Sequence, residues 1–317
     1  MRHNPRAIAM SPLRIVFMGT AEFAVPTLSL LHAGGYPIPA VVTAPDKPRG
    51  RGQEMLPTPV KRHCAEAGLT VLEPGNLTDP AFARSVRSLS PDLIVVVAFR
   101  ILPREIFMIP RLGSLNLHAS LLPRYRGAAP INRAVMNGEA ETGVTTFFLE
   151  EKVDTGNILL QERMPILPED DAGSVHDRLS AIGARVVLQT VRLIEEGKAF
   201  ARPQDPLLAS PAPKIFKEDC HIVWDRPVSS VRNQIRGLAP YPAAYAIHQG
   251  RVVKIYRASL ADGRAEPGVI ESGKDILRVG TGDGMLSIEV LQQEGKKKMG
   301  VSEFLRGYKI STGEKFE

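Results

Sequence analysis

The residues best placed to do chemistry lie in the stretch 113–143, GSLNLHASLLPRYRGAAPINRAVMNGEAETG. Asn116 and His118 stand two residues apart within it, next to Leu115 and Leu117. On an extended strand, side chains two apart share a face, so the amide and the imidazole project together while the leucines face the other way. An amide donates a hydrogen bond without carrying charge, and an imidazole takes or gives a proton near neutral pH. Together they suit proton transfer or the stabilisation of an oxygen that develops negative charge. A lone strand histidine is more often a satisfied core residue, so the surroundings must decide. Ser120-Leu121-Leu122-Pro123 reads as a turn, and residues 124–127 lead to Pro130, a good first-turn residue for a helix. A polar pair at a strand end, followed by a loop and a helix, is where open α/β sheets place ligands. Asp154, in the turn EEKVDTG at 150–156, is a third candidate. An aspartate in a turn is commonest as a local cap and by itself says little.

The elements that must hold these residues follow from hydrophobic pattern. Residues 13–18 (LRIVFM) and 92–99 (DLIVVVAF) are near-continuous apolar runs, as expected of buried parallel strands. Helical patterns follow the first, through Phe23, Leu28, Leu30 and Leu31, and recur at 61–67 and 80–89. Val41-Val42 and Val71-Leu72 read as short strands, and residues 143–149 (GVTTFFL) as a longer one. Ser174 can cap a long helix over 175–196, with Gly197 ending it. The segment 44–60 is rich in proline, glycine and basic residues and is expected to form neither helix nor strand. Residues 198–213 hold four prolines and read as a linker. Beyond it come short strands at 222–224, 244–248, 252–256, 268–271, 276–279 and 285–291, with a helix at 228–237. That texture points to a small barrel. The expected fold class is α/β, a doubly wound, mostly parallel sheet, followed by a small OB-like β-barrel. The expected domains are 12–197, linker 198–213 and 214–317.

At 317 residues, with 44% apolar and 23% charged residues, the chain can bury two ordinary cores. No apolar run approaches the roughly 18 residues of a membrane span, so no membrane partner is expected. Residues 1–11 carry Arg2 and Arg6 but no apolar core, and read as a short extension rather than a signal peptide. Cys64 and Cys220 lie far apart without CxxC spacing, which suits reduced structural thiols in a cytoplasm. The net charge is +6, and from Lys214 onward 17 basic residues face 13 acidic ones. This surplus favours a polyanionic partner. The segment 268–274 fits GxxxxGK, but Asp275 replaces the hydroxyl residue a P-loop needs, and the local texture is barrel. Gly19 alone is no dinucleotide fingerprint. The seven histidines show no HExxH, and Cys220-His221 lacks partners at zinc spacing, so no metal is expected.

The stretch HASLLPRYRGAAP fits HxSLLPxxxGxxP and resembles the signature of the formyltransferases that use 10-formyltetrahydrofolate. RGAAPINRAV and ETGVTTFFLEEKVDTGNILL extend the likeness toward the branch whose acceptor is methionyl-tRNA, and the resemblance runs from about residue 13 to the end. It implies a formyltransferase fold, 10-formyltetrahydrofolate as formyl-donor co-substrate, initiator methionyl-tRNA as acceptor and translation initiation in the cytoplasm as the setting, with the protein a monomer. It assigns catalysis to Asn116, His118 and Asp154: the amide and a protonated imidazole as oxyanion donors, the carboxylate orienting the ring. Folate contact falls to Ser120, Leu121, Leu122 and Pro123 and to Arg100, Ile101 and Leu102. At 98–100 the chain reads Ala-Phe-Arg where many relatives of this type have Ala-Tyr-Gly. The element resembles instead the Arg-Ile-Leu of the glycinamide ribonucleotide enzymes, whose backbone groups meet the pterin. The basic loop matches the one that engages the tRNA acceptor arm, with Arg49 and Arg51 as contacts, Arg51 on its key arginine. Lys296, Lys297 and Lys298, in GKKKM, resemble the tRNA-binding face of the family's C-terminal domain.

Competing readings are separable. Enzymes formylating glycinamide ribonucleotide are shorter and lack the barrel, and the sugar-nucleotide enzymes lack the GRG loop and GKKKM ending. A noncatalytic RNA-binding protein would not need Asn116, His118 and Asp154 together. A serine hydrolase using Ser120 would need a GxSxG elbow, which is absent.

Overall fold

The computed structural model describes residues 12–49 and 54–317. Its first sheet begins with β1 (Ile15–Gly19), every residue of which is buried. A 3₁₀ turn at Glu22–Ala24 leads into α1 (Val25–Ala33), then β2 (Ala40–Val42). A hairpin of β3 (Lys47–Arg49) and β4 (Glu54–Leu56) precedes α2 (Pro59–Ala67) and β5 (Val71–Leu72). After α3 (Pro80–Ser88) come β6 (Leu93–Val97), α4 (Arg104–Phe107) and β7 (Ser114–His118). Then follow α5 (Pro130–Met136), β8 (Glu141–Phe148), β9 (Ile158–Pro165) and the 24-residue α6 (Ala172–Glu195).

The sheet order is β5-β2-β1-β6-β7-β8-β9. All pairings from β5 through β7 are parallel, and β8 runs antiparallel to β7. Strand order reverses between β1 and β6, the topological switch point of a doubly wound sheet. The expected fold class is the one observed.

Two expectations are corrected here. The proline-rich segment after β2 is not wholly irregular, since β3 and β4 pair antiparallel, Pro48 opposite Met55. A two-stranded ribbon leaves one edge of each strand open, so a proline without an N–H is tolerated in it. The ends of the segment are tied: the Thr43 and Thr58 hydroxyls lie 2.8 Å apart, and Lys61 Nζ reaches Asp46 at 2.7 Å. Second, α6 starts three residues before Val175, because Asp171 does the capping expected of Ser174. The Ser174 N–H donates to Asp171 Oδ1 (2.8 Å), and the Asp171 N–H donates to Ser174 Oγ (3.1 Å). Gly197, at φ +67°, ends the helix as expected.

The C-terminal part contains α7 (Val228–Leu238) and six strands: β10 (Ala244–His248), β11 (Arg251–Ala261), β12 (Ile270–Ser272), β13 (Leu277–Gly280), β14 (Met285–Gln293) and β15 (Met299–Gly300). A short α8 (Val301–Gly307) follows. The antiparallel order β10-β11-β14-β13-β12, with β15 on β14, curls as a half-barrel around Trp224, Ile255, Leu286 and Phe304. A register shift at Tyr256, between Ile255 and Arg257, adds the local twist such a curl needs. Residues 222–224 form no strand. They are held by the Ile222 N–H donating to Tyr245 O, and Ile222 and Trp224 are buried in this core.

Contacts group the chain into two compact units. One holds the residues up to His118 with Val144–Glu162 and Ser180–Leu207; the other holds Ala119–Gly143, Arg163–Leu179 and Leu208–Glu317.

Candidate active site

β7 ends at His118, and its register fixes what surrounds the imidazole. Asn116 lies beside Val96 of β6 and opposite Phe147 of β8, and His118 lies opposite Thr145. Directly opposed residues share a face, so the Thr145 hydroxyl is on the imidazole side of the sheet. It accepts a hydrogen bond from Gln161 Nε2 at 2.9 Å. On the other face, α6 packs against Leu117 so closely that a Cβ on Gly183 would lie 2.6 Å from a Leu117 methyl. The leucines of β7 therefore hold the strand against α6, and the amide and imidazole point the other way, as alternation required. The strand beside them, β6, is followed directly by Ala98 at φ +48°. A non-glycine residue in that region is strained, and such strain gathers at functional sites.

Asp154 reaches this face from the β8–β9 connection. His118 Nδ1 and Asp154 Oδ2 are 3.7 Å apart, with both residues buried. That is an ion-pair distance, longer than a hydrogen bond. The turn that carries Asp154 is strained at that residue and braced around it. Asp154 itself adopts φ +54°, a left-handed conformation that aspartate tolerates better than most residues. Gly156 passes so near the main chain of Phe148 that a Cβ would lie 1.7 Å from its carbonyl oxygen, which accounts for the glycine of Asp-Thr-Gly. Gln204 Nε2 donates to the carbonyls of both Asp154 (2.9 Å) and Gly156 (2.8 Å). An ion pair between Arg104 of α4 and Glu151 adds an exposed tether. The sequence reading found Asp154 but not Gln204, which stands in the segment read as a linker and belongs to no motif.

The family model described as formyl transferase matches residues 13–191, and that described as formyl transferase, C-terminal domain, matches 214–309. The chain belongs to the formyl transferase family. A methionyl-tRNA formyltransferase from Moorella thermoacetica is 50% identical over 307 residues, covering 95% of this chain and 98% of that protein. One from Syntrophus aciditrophicus is 47% identical, covering 96% and 99%. The N-formyltransferase of Helicobacter canadensis, solved with folinic acid and dTDP-3-aminofucose, superposes with a TM-score of 0.68 at 19% identity, over 90% of this chain and all of that one. At that identity it speaks for the formyl transferase fold alone.

Within this formyl transferase, the remaining candidates fall in distinct settings. Arg100 donates to the carbonyls of Pro74 (2.7 Å) and Gly75 (3.2 Å), and burial holds its guanidinium below the ordinary value. Ile101 is 75% exposed, whereas Leu102 is buried beside Ile106 and Phe107. The segment that follows β6 thus leaves the apolar Ile101 side chain exposed. In the other unit, Ser120 Oγ donates to the Arg124 carbonyl at 2.6 Å, closing its turn, and Leu122 is buried, while Leu121 and Pro123 are half-buried. Arg49 lies in β3, and Arg51 lies outside the described residues. The three lysines at the β14–β15 turn are exposed but not equivalent. Lys297 pairs with Glu303 (3.4 Å), Lys298 Nζ lies 4.6 Å from the centre of the Tyr256 ring, and the Lys296 carbonyl accepts from Gln292. Both cysteines are buried, and burial pushes the Cys64 thiol up to about 11. Among the described residues, no cluster of His, Cys, Asp or Glu side chains could hold a metal ion, and no helix is long and apolar enough to cross a membrane.

Proposed function

We infer that this chain transfers the formyl group of 10-formyltetrahydrofolate to the α-amino group of methionyl-tRNA. The observation that carries this reading is the 50% identity, over nearly the whole of both chains, to a methionyl-tRNA formyltransferase. The geometry supplies the chemistry. The formyl group on N10 is amide-like, so its transfer is acyl transfer to an amine. An α-amino group titrates near 7.7–8.0, so a useful fraction is neutral at physiological pH and needs no strong base. The oxyanion of the tetrahedral intermediate needs preorganised donors. Asn116 and His118 supply them from one strand face, and losing one such donor commonly costs about 10²–10³ in rate. Asp154 orients the imidazole and assists proton movement to the departing N10.

Folate is bound by the main chain of Arg100, Ile101 and Leu102 and by the Ser120–Leu121–Leu122–Pro123 turn. Residues 12–197 carry the chemistry, 198–213 link, and 214–317 bind tRNA. Arg49 and Arg51 take the acceptor arm, and Lys296, Lys297 and Lys298 take backbone phosphates, so binding weakens with salt. The protein acts as a monomer in the cytoplasm on the initiator tRNA.

The test offers purified protein 10-formyltetrahydrofolate with charged initiator tRNA, charged elongator tRNA, glycinamide ribonucleotide and an amino sugar nucleotide. Faster formylation of the initiator is the expected result. A small amine formylated far faster than methionyl-tRNA would replace this reading.

A further inference from the structure

We propose that Gln204 is a positioning residue for catalysis, its side-chain amide clamping the Asp154 turn so that the carboxylate meets His118. This rests on the reading of His118 and Asp154 as catalytic.

The clamp is specific in its chemistry. One nitrogen, Gln204 Nε2, lies 2.9 Å from the Asp154 carbonyl oxygen and 2.8 Å from that of Gly156. Of the two ends of the amide only the NH₂ donates, and it has two hydrogens for two carbonyls, so the orientation of the amide is set by its partners. The two bonds hold the peptide unit that follows Asp154, the residue at φ +54°, and the one that follows Gly156. A backbone conformation of that kind persists where its surroundings over-determine it.

The presentation of Gln204 is equally built. Arg202 and Ile158 exchange main-chain hydrogen bonds of 2.7 and 2.8 Å, anchoring the segment to the start of β9 two residues before the glutamine. Pro203 restricts the backbone between anchor and clamp. Asp205 Oδ1 accepts from the Leu207 N–H at 2.9 Å, shaping the turn that follows. A proline-rich segment with only a 3₁₀ turn, Pro206–Leu208, for regular structure is thus tied down where it meets the Asp154 turn. Gln204 acts through Asp154: it orders the carboxylate's main chain, and the carboxylate orders the imidazole.

The experiment is a double-mutant cycle on the full-length protein with methionyl-tRNA and 10-formyltetrahydrofolate. The single variants are Gln204→Ala, Gln204→Met and Asp154→Asn; Gln204→Met keeps the length and packing of the side chain without its donors. The expected result for either Gln204 variant is a kcat lower by about 10- to 100-fold, as for a misplaced catalytic group. KM for both substrates should stay within about threefold and thermal stability near wild type. In the Asp154→Asn background, Gln204→Met should cost less than about a further twofold, because residues acting as a unit are not additive. A kcat within about twofold of wild type in Gln204→Met overturns the proposal, and so do losses that multiply in the double variant. Full activity in Asp154→Asn would overturn the catalytic reading together with it, an outcome distinct from a silent Gln204.

Discussion

Two buried histidines, each facing a carboxylate, show how differently one arrangement can be used. His248, in the half-barrel, is 1% exposed. Its Nδ1 lies 2.8 Å from Tyr308 Oη and its Nε2 3.1 Å from Glu314 Oε2, with the rings of Tyr308 and Phe316 packed against it. A carboxylate only accepts, so in the neutral ring Nε2 donates to Glu314 and Nδ1 accepts from the phenol. Both nitrogens have a side-chain partner at hydrogen-bond distance. His118 is nearly as buried, at 6%, yet its carboxylate stands at 3.7 Å and is carried by a backbone in the left-handed region. The first histidine is satisfied by hydrogen-bonding partners at both ring nitrogens and serves stability. The second meets a partner brought to it by a strained turn with supports of its own, the construction expected where position matters more than comfort.

The sharpest way to break this contrast is to remove each ring in turn. His118→Ala and Asp154→Ala should each lower turnover at least about 10²-fold while the fold survives. Steady-state kinetics alongside thermal melts will measure this, and a folded His118→Ala protein within a few-fold of wild type removes the residue from the mechanism. Next in size comes Gly156→Ala, whose methyl would collide with the Phe148 carbonyl. Displacing the turn should cost about 2 kcal/mol of stability and lower kcat about tenfold. Wild-type behaviour would mean that the turn is not held as tightly as the close approach implies.

His248→Leu should do the reverse of His118→Ala. Two lost hydrogen bonds, one of them to a carboxylate that keeps the Ser311 N–H, should cost roughly 1–2 kcal/mol, read as a lower denaturation midpoint, with kcat retained well below the melting temperature. A larger loss of kcat than of stability would erase the distinction between the two rings. The smallest effect concerns pH. The Ser311 N–H chiefly holds the Glu314 carboxyl below its ordinary value, burial works against it, and His248 adds to the lowering. Such a group contributes stability above its unfolded pKa, near about 4.3, and that contribution is lost as pH falls through the lower folded value. Acidification should therefore lower the melting temperature less steeply in Glu314→Gln than in the wild type, and equal slopes would show that the pair does not matter to the half-barrel.

Much of the candidate site's face was legible because period-two alternation is a local property. Asn116 and His118 had to share a side of β7, and the run 92–99 reads as a buried strand, although the pattern does not place it beside β7. The cap of α6 was misassigned to Ser174 because Asp171 and Ser174 both suit the position, and only the reciprocal hydrogen bonds separate them. The β3–β4 pairing was hidden by prolines that a two-stranded ribbon tolerates. Gln204 was not readable at all. A side-chain clamp on main-chain carbonyls 50 residues away constrains no pattern of residue types around it. Arg100 illustrates the same limit: its guanidinium meets the carbonyls of Pro74 and Gly75, contacts that carry no sequence signature.

Neither compact unit is a single run of chain, and this dictates the order in which a newly made protein can finish folding. The Leu13 N–H and the Tyr36 hydroxyl both donate to the Glu195 carboxylate, so the first strand's surroundings are completed only when the last turn of α6 has been made. In the other unit, α5 waits longer. Its Asn132 donates to the Gly237 carbonyl, and Gly237 fits against Met136 only because it lacks a side chain. Roughly 100 residues separate these two helices along the chain, about 5–20 s of synthesis at ordinary ribosomal rates. Through that interval the face of α5 that will pack on α7 has no partner, and a chain cut short after α6 would keep it so. The C-terminal part is therefore not an appendage that can be trimmed away: its first long helix, α7, completes a segment translated long before it.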